Sequence, residues 1–489
     1  MSPSRTRLAA GVLLSIIFAV ALSSCSSSDP AAIAITHVTV IDATGAAPQA
    51  DSSIIIQGSR IFAVGPSAST PIPRDAKIVD GFGKFLVPGL ADMHLHLTGA
   101  GEPTGSREFI IPLLVANGIT TVRDMGGKVE YLKKLRAEID SGKLAGPQIF
   151  FTGPYLDGNP PSFQPSIVVQ SAAEATAAVQ NLKSEGVDFI KVQSRLQPEP
   201  YYVVARESQK QNIRFVGHVP DSITAAAASD AGQASIEHLT GVLLGCSARE
   251  EELRQRKLAP PPAGETKEQT LVRERVWLKD LLDSYSQQKA ANLFHKFAAN
   301  RTWQVPTLPL LIHLAYLVPE SDRNTDPRMK YIPGNLRETW NQTRNGLLDS
   351  RTETDFALRR RLVSQSLSAV KALQETGVTI MAGTDTTAPN VFPGFSLHED
   401  LAYLVKAGLT PMQALQAATS KPAEFLGRGA EQGTVQAGKR ADLVLLSANP
   451  LDDIHNTQKI AGVVLNGKFL TRDELDELLA RVERFAASH

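Results

Sequence analysis

The feature that most constrains this chain is an alternation running through its middle. Between about Phe85 and Gly429, short β-like runs take turns with helical ones. The strand candidates are 85–87, 119–122, 148–151, 189–192, 213–216, 234–236, 303–305 and 378–381, with helical stretches such as 172–185 and 225–231 between them. Parallel strands need a crossover, and eight right-handed crossovers close a (β/α)8 TIM barrel. The predicted fold class is therefore α/β. An open, doubly wound sheet is the competing arrangement, because strand count alone does not exclude it.

Two β-rich pieces flank this middle. Apolar groups around Ile35–Ile41, Ile54–Ile56 and Ile61–Val64 are punctuated by Gly45, Gly58 and Gly65, and residues 441–446 and 460–464 repeat the texture before the turn Asn466-Gly467. Short strands must bury a face, so residues 33–85 and 431–475 are expected to join in one small β-sandwich beside a barrel at 86–430. A charged stretch at 248–300, containing Pro260-Pro261-Pro262, and a helical one at 320–360 lie around the seventh strand candidate. Insertions at that position in a barrel build or cover an active site, elaborate the surface, or form an oligomer contact. A homo-oligomer is compatible with the sequence, which does not specify one.

The N-terminus is a targeting segment. Arg5 and Arg7 precede an almost wholly apolar run from Leu8 to Leu22, too short and wrongly flanked for a membrane span. It ends in Leu22-Ser23-Ser24-Cys25, which resembles the lipobox of bacterial lipoproteins. That resemblance implies removal of residues 1–24, lipidation of Cys25, a tether at 25–32 and attachment to a membrane through the lipid. Ser26 after the modified cysteine resembles outer-membrane rather than inner-membrane sorting. Lys plus Arg balance Asp plus Glu at 50 each, so nucleic acid is not an expected partner. With only Cys25 and Cys246 in the chain, a thiolate zinc site is excluded.

Chemistry gathers at the ends of the strand candidates. His94 and His96 are two apart, so on a strand they face the same side. Lys191 lies on the fourth candidate; His218, His238 and Asp385 close the fifth, sixth and eighth. In a barrel these ends share the C-terminal face, where active sites sit.

This set resembles the amidohydrolase superfamily. The likeness extends through Pro88-Gly89-Leu90-Ala91-Asp92-Met93-His94, Gly118–Asp124, Ile236-Glu237-His238, Ala407-Gly408-Leu409-Thr410-Pro411 and residues 433–442. It is nearest to the imidazolonepropionase-like and prolidase-like branch. The resemblance implies two divalent metal ions, zinc foremost. One is held by His94, His96, Lys191 and Asp385, and the other by Lys191, His218 and His238. It implies that Lys191 carries a carboxyl group (N6-carboxylysine), because a protonated amine cannot ligate a cation whereas a carbamate can bridge two. It further implies a metal-bridging hydroxide that cleaves the amide or peptide bond of a small-molecule substrate, a dipeptide or N-acyl amino acid, with Asp385 as the catalytic proton carrier. Tyr155 and Arg195 are candidates for a substrate carboxylate. Two places depart from prolidase-like relatives: the loop 152–160 lacks their Gly-Gly-His, and Pro220 stands where some have Tyr. Both concern substrate recognition and leave the ligand set intact. A lactonase or phosphotriesterase on the same scaffold and a catalytically silent binding lipoprotein are the alternatives.

Overall fold

A computed structural model describes residues 32–98, 105–317 and 326–489. Cys25, the signal segment and nearly all of the tether lie outside the described residues, as does the start of the 320–360 stretch. Among the described residues, no helix is long and apolar enough to cross a membrane.

The chain opens with β1 (Ile33–Val40), β2 (Gln49–Gln57), β3 (Arg60–Pro66), β4 (Lys77–Asp80) and β5 (Phe85–Pro88). The middle contributes β6 (Leu90–Leu95), β7 (Ile119–Asp124), β8 (Gln148–Phe151), β9 (Tyr155–Asp157), β10 (Ser166–Val168), β11 (Phe189–Val192), β12 (Arg214–Gly217), β13 (Ser235–Glu237) and β14 (Trp303–Val305). The end adds β15 (Leu443–Leu446), β16 (Ile460–Leu465) and β17 (Lys468–Thr471).

The two flanking pieces meet where β5 runs antiparallel to β15, with Val87 opposite Val444. They form one mixed eight-stranded sheet, ordered β17-β16-β15-β5-β1-β2-β3 with β4 beside β1. The two flanking pieces join as expected, and their strands are linked in one hydrogen-bonded sheet. The reason lies in β1, which changes partner along its length: Ile33–Thr36 run beside β4, and Thr39–Val40 beside β5. Its apolar faces bury Ile35, Ile54, Leu86, Leu443 and Val464 in a core of their own.

Residues 85–87, expected as the first barrel strand, belong to this flanking sheet, and the first parallel strand is β6. Gly89 makes the handover between them. A Cβ there would come 2.2 Å from Thr120 Oγ1, so only glycine lets the chain pass.

The middle strands are parallel, in the orders β6-β7-β8 and β10-β9-β11-β12-β13-β14. β8 pairs with β7, and β9 reaches β11 through Leu156 beside Val192. Between β8 and β9 the chain bends at Gly153, φ +70°. The eighth candidate, 378–381, makes only single bridges, Gln304 to Ile380 on one side and, further along, Leu95 to Thr386 on the other. Met381 N donates to Gln304 O at 2.9 Å and Met93 N to Ala382 O at 3.0 Å. The ladder is interrupted because Gly383 packs hard against His94 and Asp385 takes φ +64°. The result is two parallel sheets joined by these bridges rather than one continuous ladder.

Both expected insertions are helical and flank β14. Helices Glu250–Leu258, Lys267–Asp283 and Gln287–Asn300 precede it; Gly334–Ser350 and Glu353–Glu375 follow.

Candidate active site

β6 and β7 are buried at every position, yet they carry Asp92, His94, Arg123 and Asp124. Polar groups in such strands must find partners. Arg123 donates to Glu237 at 2.9 Å and to the Met93 carbonyl at 2.7 Å. Glu237 in turn holds His94 Nδ1 at 2.8 Å. Asp92 accepts from the Thr384 hydroxyl at 2.7 Å and from its backbone N–H at 3.1 Å, fixing the turn that presents Asp385. Burial pushes the Asp92 carboxyl up to about 7. Asp400 accepts from Gly383 N and Leu308 N, each at 3.1 Å, and burial raises it well above the carboxylate range.

On this frame the predicted ligands come together. Asp385 Oδ1 lies 3.1 Å from His96 Nε2 and 3.4 Å from His94 Nε2, and its Oδ2 lies 4.0 Å from His238 Nε2. Lys191 Nζ is 3.5 Å from His94 Nε2. The His218 ring stands 5.0 Å from His238, edge to face. Each imidazole is anchored by its other nitrogen. His96 Nδ1 is 3.3 Å from the Gly126 carbonyl, His218 Nδ1 is 2.8 Å from Ser194 Oγ, and His238 Nδ1 is 2.6 Å from Thr307 Oγ1. Such anchoring fixes the tautomer and ring angle of metal-binding histidines.

His238, Thr307 and Asp385 all adopt positive φ, at 56°, 47° and 64°. Left-handed backbone at non-glycine residues gathers at functional sites, where the surroundings impose it.

The electrostatics suit a cation. Burial drives His238 down to about 3 and His218 well below its ordinary value, so both rings are neutral. Burial lowers Lys191 to about 8. Burial acts to raise Asp385, but the facing His238, His94 and His96 outweigh it and hold the carboxylate ionised. His94, His238 and Asp385 offer ligand atoms within 4.8 Å of one another. Neutral imidazoles and an ionised carboxylate form a donor set that fits a zinc-type ion.

The Tyr155 hydroxyl reaches this cluster, 3.5 Å from His96 Nδ1, and its ring lies 5.0 Å from Lys191 Nζ. Arg195 does not; its exposed guanidinium donates to the Pro160 carbonyl at 3.0 Å. His398 is buried between Thr457 Oγ1 and the Asn117 carbonyl, a structural position. Cys246 is a buried free thiol pushed up to about 12 by burial. In the sequence Arg123 and Glu237 stand in segments that carry the family likeness but have no assigned role. The available signal was a charged residue directly after a β-branched one at the end of a strand candidate, Arg123 after Val122 and Glu237 after Ile236.

The buried His/Lys/Asp constellation at the ends of parallel strands contains a donor set that could hold a metal ion. The amidohydrolase family signature matches residues 85–470, and the chain belongs to that family. Among its relatives, ochratoxinase of Aspergillus niger is 22% identical over 88% of this chain and 84% of its own length. Imidazolonepropionase of Paracidovorax citrulli is 25% identical over 81% and 84%. The solved bottromycin amidohydrolase superposes with a TM-score of 0.73 at 22% identity, covering 94% of this chain and 91% of its own. A Xaa-Pro dipeptidase structure superposes at 0.63 with 21% identity, covering 90% and 100%. The protein is a hydrolase acting on carbon–nitrogen bonds.

Proposed function

We propose that this chain hydrolyses an amide or peptide bond of a small substrate using two divalent metal ions, zinc foremost, at the C-terminal face of a closed (β/α)8 barrel. The observation that carries the reading is the convergence of His94, His96 and His238 on Asp385, with Lys191 against His94. His94, His96, Lys191 and Asp385 would hold one ion, and Lys191, His218 and His238 the other. Lys191 serves as its N6-carboxyl derivative, which its buried, partly neutral amine is suited to form. Bound there, the ions would polarise the scissile carbonyl and acidify the attacking water.

Asp385, held ionised, accepts the proton of that water and passes it to the departing amine. An amine leaves poorly without a proton and an alkoxide needs it less, so the ionised Asp385 favours amide over lactone or ester substrates. The buried Tyr155 hydroxyl supplies a polar contact to substrate beside His96. A silent binding protein has no need of a carboxylate so placed. The backbone bonds from Met381 and Met93 support closure of the barrel across residues 378–386. We place the enzyme outside the cytoplasm, lipid-anchored through Cys25 and facing the periplasm.

The test is metal analysis of protein beginning after Cys25, purified without chelators, followed by turnover of dipeptides, N-acyl amino acids and lactones. Close to two equivalents of metal and cleavage of amides are expected. No bound metal after reconstitution, or turnover of lactones alone, would overturn the reading.

A further inference from the structure

Helices of the two insertions line two adjoining cavities, the nearer of them beside His238. The inner one, about 180 Å³, touches His238 and Ser194. The outer one, about 790 Å³, has Pro260, Leu278 and Arg359 in its wall. Asp221, Lys257, Trp277 and Leu362 line both, so the two cavities share a wall.

One helix borders both. On Glu353–Glu375, Ser366 borders the inner compartment, Leu362 both, and Arg359 the outer. At 1.5 Å rise per residue, Ser366 to Arg359 spans about 10 Å. Between the two ends stand the apolar Trp277 and Leu362, beside the Lys257–Asp221 pair.

The outer wall is cationic, with Arg195, Arg256, Lys257, Arg273 and Arg359 against Asp221 and Glu274. Four of these cations are committed. Arg256 pairs with Asp280 at 2.6 Å, Lys257 with Asp221 at 2.8 Å and Arg273 with Glu265 at 2.8 Å, while Arg195 binds the Pro160 carbonyl. Arg359 is half-buried and makes no ion pair or hydrogen bond among the described residues. The carboxylates that influence it are Glu274, which is exposed, and Asp355, which is engaged by Arg275 through two bonds of 2.7 and 2.9 Å. A partly desolvated guanidinium without a partner is poised for an incoming anion.

We propose that the substrate carries an anionic group, carboxylate or phosphate, about 10 Å from the scissile end held in the inner compartment, received by Arg359, with an apolar segment lying along Trp277 and Leu362. This rests on the hydrolytic reading of the His/Lys/Asp cluster. A dipeptide does not suffice: at about 3.5 Å per residue, its carboxylate stays within roughly 4 Å of the scissile bond.

The experiment compares mono-p-nitroanilides of succinic and suberic acid, the suberic methyl ester, and an ω-phosphonate of suberic length, on the metal-loaded full chain. At least a tenfold higher kcat/KM is expected for the suberic acid than for its ester or for the succinic acid. Arg359→Gln should reduce that preference to within twofold while leaving the ester unchanged, and Arg359→Lys should restore part of it. A larger advantage for the phosphonate assigns the site to phosphate, and for the acid to carboxylate. Equal rates for acid and ester, or an Arg359→Gln loss common to both, would overturn the proposal while the amide reading stands. If no anilide is cleaved, calorimetric titration with the same compounds decides. Tighter binding of the suberic acid that is lost in Arg359→Gln upholds the anion site although the hydrolytic reading fails; equal or absent binding overturns it.

Discussion

At the level of single residues, the proposed reaction gives Asp385 the proton and Lys191 the bridge between the metals. Asp385→Asn keeps the side-chain shape but cannot take a proton at neutral pH. Proton transfer by a placed side chain is worth about 10²- to 10⁴-fold in rate. The variant should lose turnover on that scale while retaining the metal held by His218 and His238, as steady-state kinetics beside metal analysis would show. Full activity would end the proton-carrier role. Lys191→Ala should release at least one metal equivalent, and bicarbonate with a short carboxylic acid should return metal and activity together; unchanged stoichiometry would mean that Lys191 bridges nothing. These residues were legible in the sequence because each is an unusual side chain at the end of an apolar run. Arg195 stands outside the cluster for a related reason. It follows such a run too, but its side chain turns out to Pro160, a contact set by the loop and not by the strand.

At the scale of elements, the support beneath the ligands depends on neighbours far apart in the chain. Arg123 on β7 and Glu237 on β13 meet inside the molecule at 2.9 Å with no exposure on either side. Removing one member of a buried pair leaves the other uncompensated and costs about 3–5 kcal/mol. Arg123→Met should therefore lower the stability measured by urea unfolding by that amount. It should also weaken metal retention, because Glu237 orients His94. A change under 1 kcal/mol would show that solvent or another cation compensates. No periodicity in the sequence announces this pairing, since it joins strands 114 residues apart. The strands themselves were readable from apolar runs bounded by turn residues. The exceptions were residues 85–87, whose pattern fits either sheet, and residues 378–381, where the backbone demanded by Asp385 interrupts the ladder. β9 and β10 were missed because the Gly- and Pro-rich stretch 153–165 around them reads as a loop.

At the scale of the whole molecule, His398 ties its parts together. Its Nδ1 lies 3.0 Å from Thr457 Oγ1, in the connection between β15 and β16 of the flanking sheet, and its Nε2 donates to the Asn117 carbonyl at 3.1 Å, just before β7. Burial depresses this imidazole to about 4, against the raising influence of the Asn117 carbonyl and Glu399. The folded state therefore keeps the ring neutral, whereas the unfolded chain takes up a proton below about 6.5. The contribution is fully present above pH 6.5 and is lost as pH falls from there through about 4. A shift of this size corresponds to roughly 3 kcal/mol. Other buried histidines titrate in the same direction, so the difference between two proteins isolates this one. In urea unfolding from pH 7 to pH 4.5 at matched metal content, His398→Asn should be less stable than the parent at pH 7. It should also lose less of its stability on acidification, so that the two curves converge. Parallel curves would mean that His398 takes up its proton alike in the folded and unfolded states, and that a neutral ring is not what holds the parallel sheets to the flanking sheet.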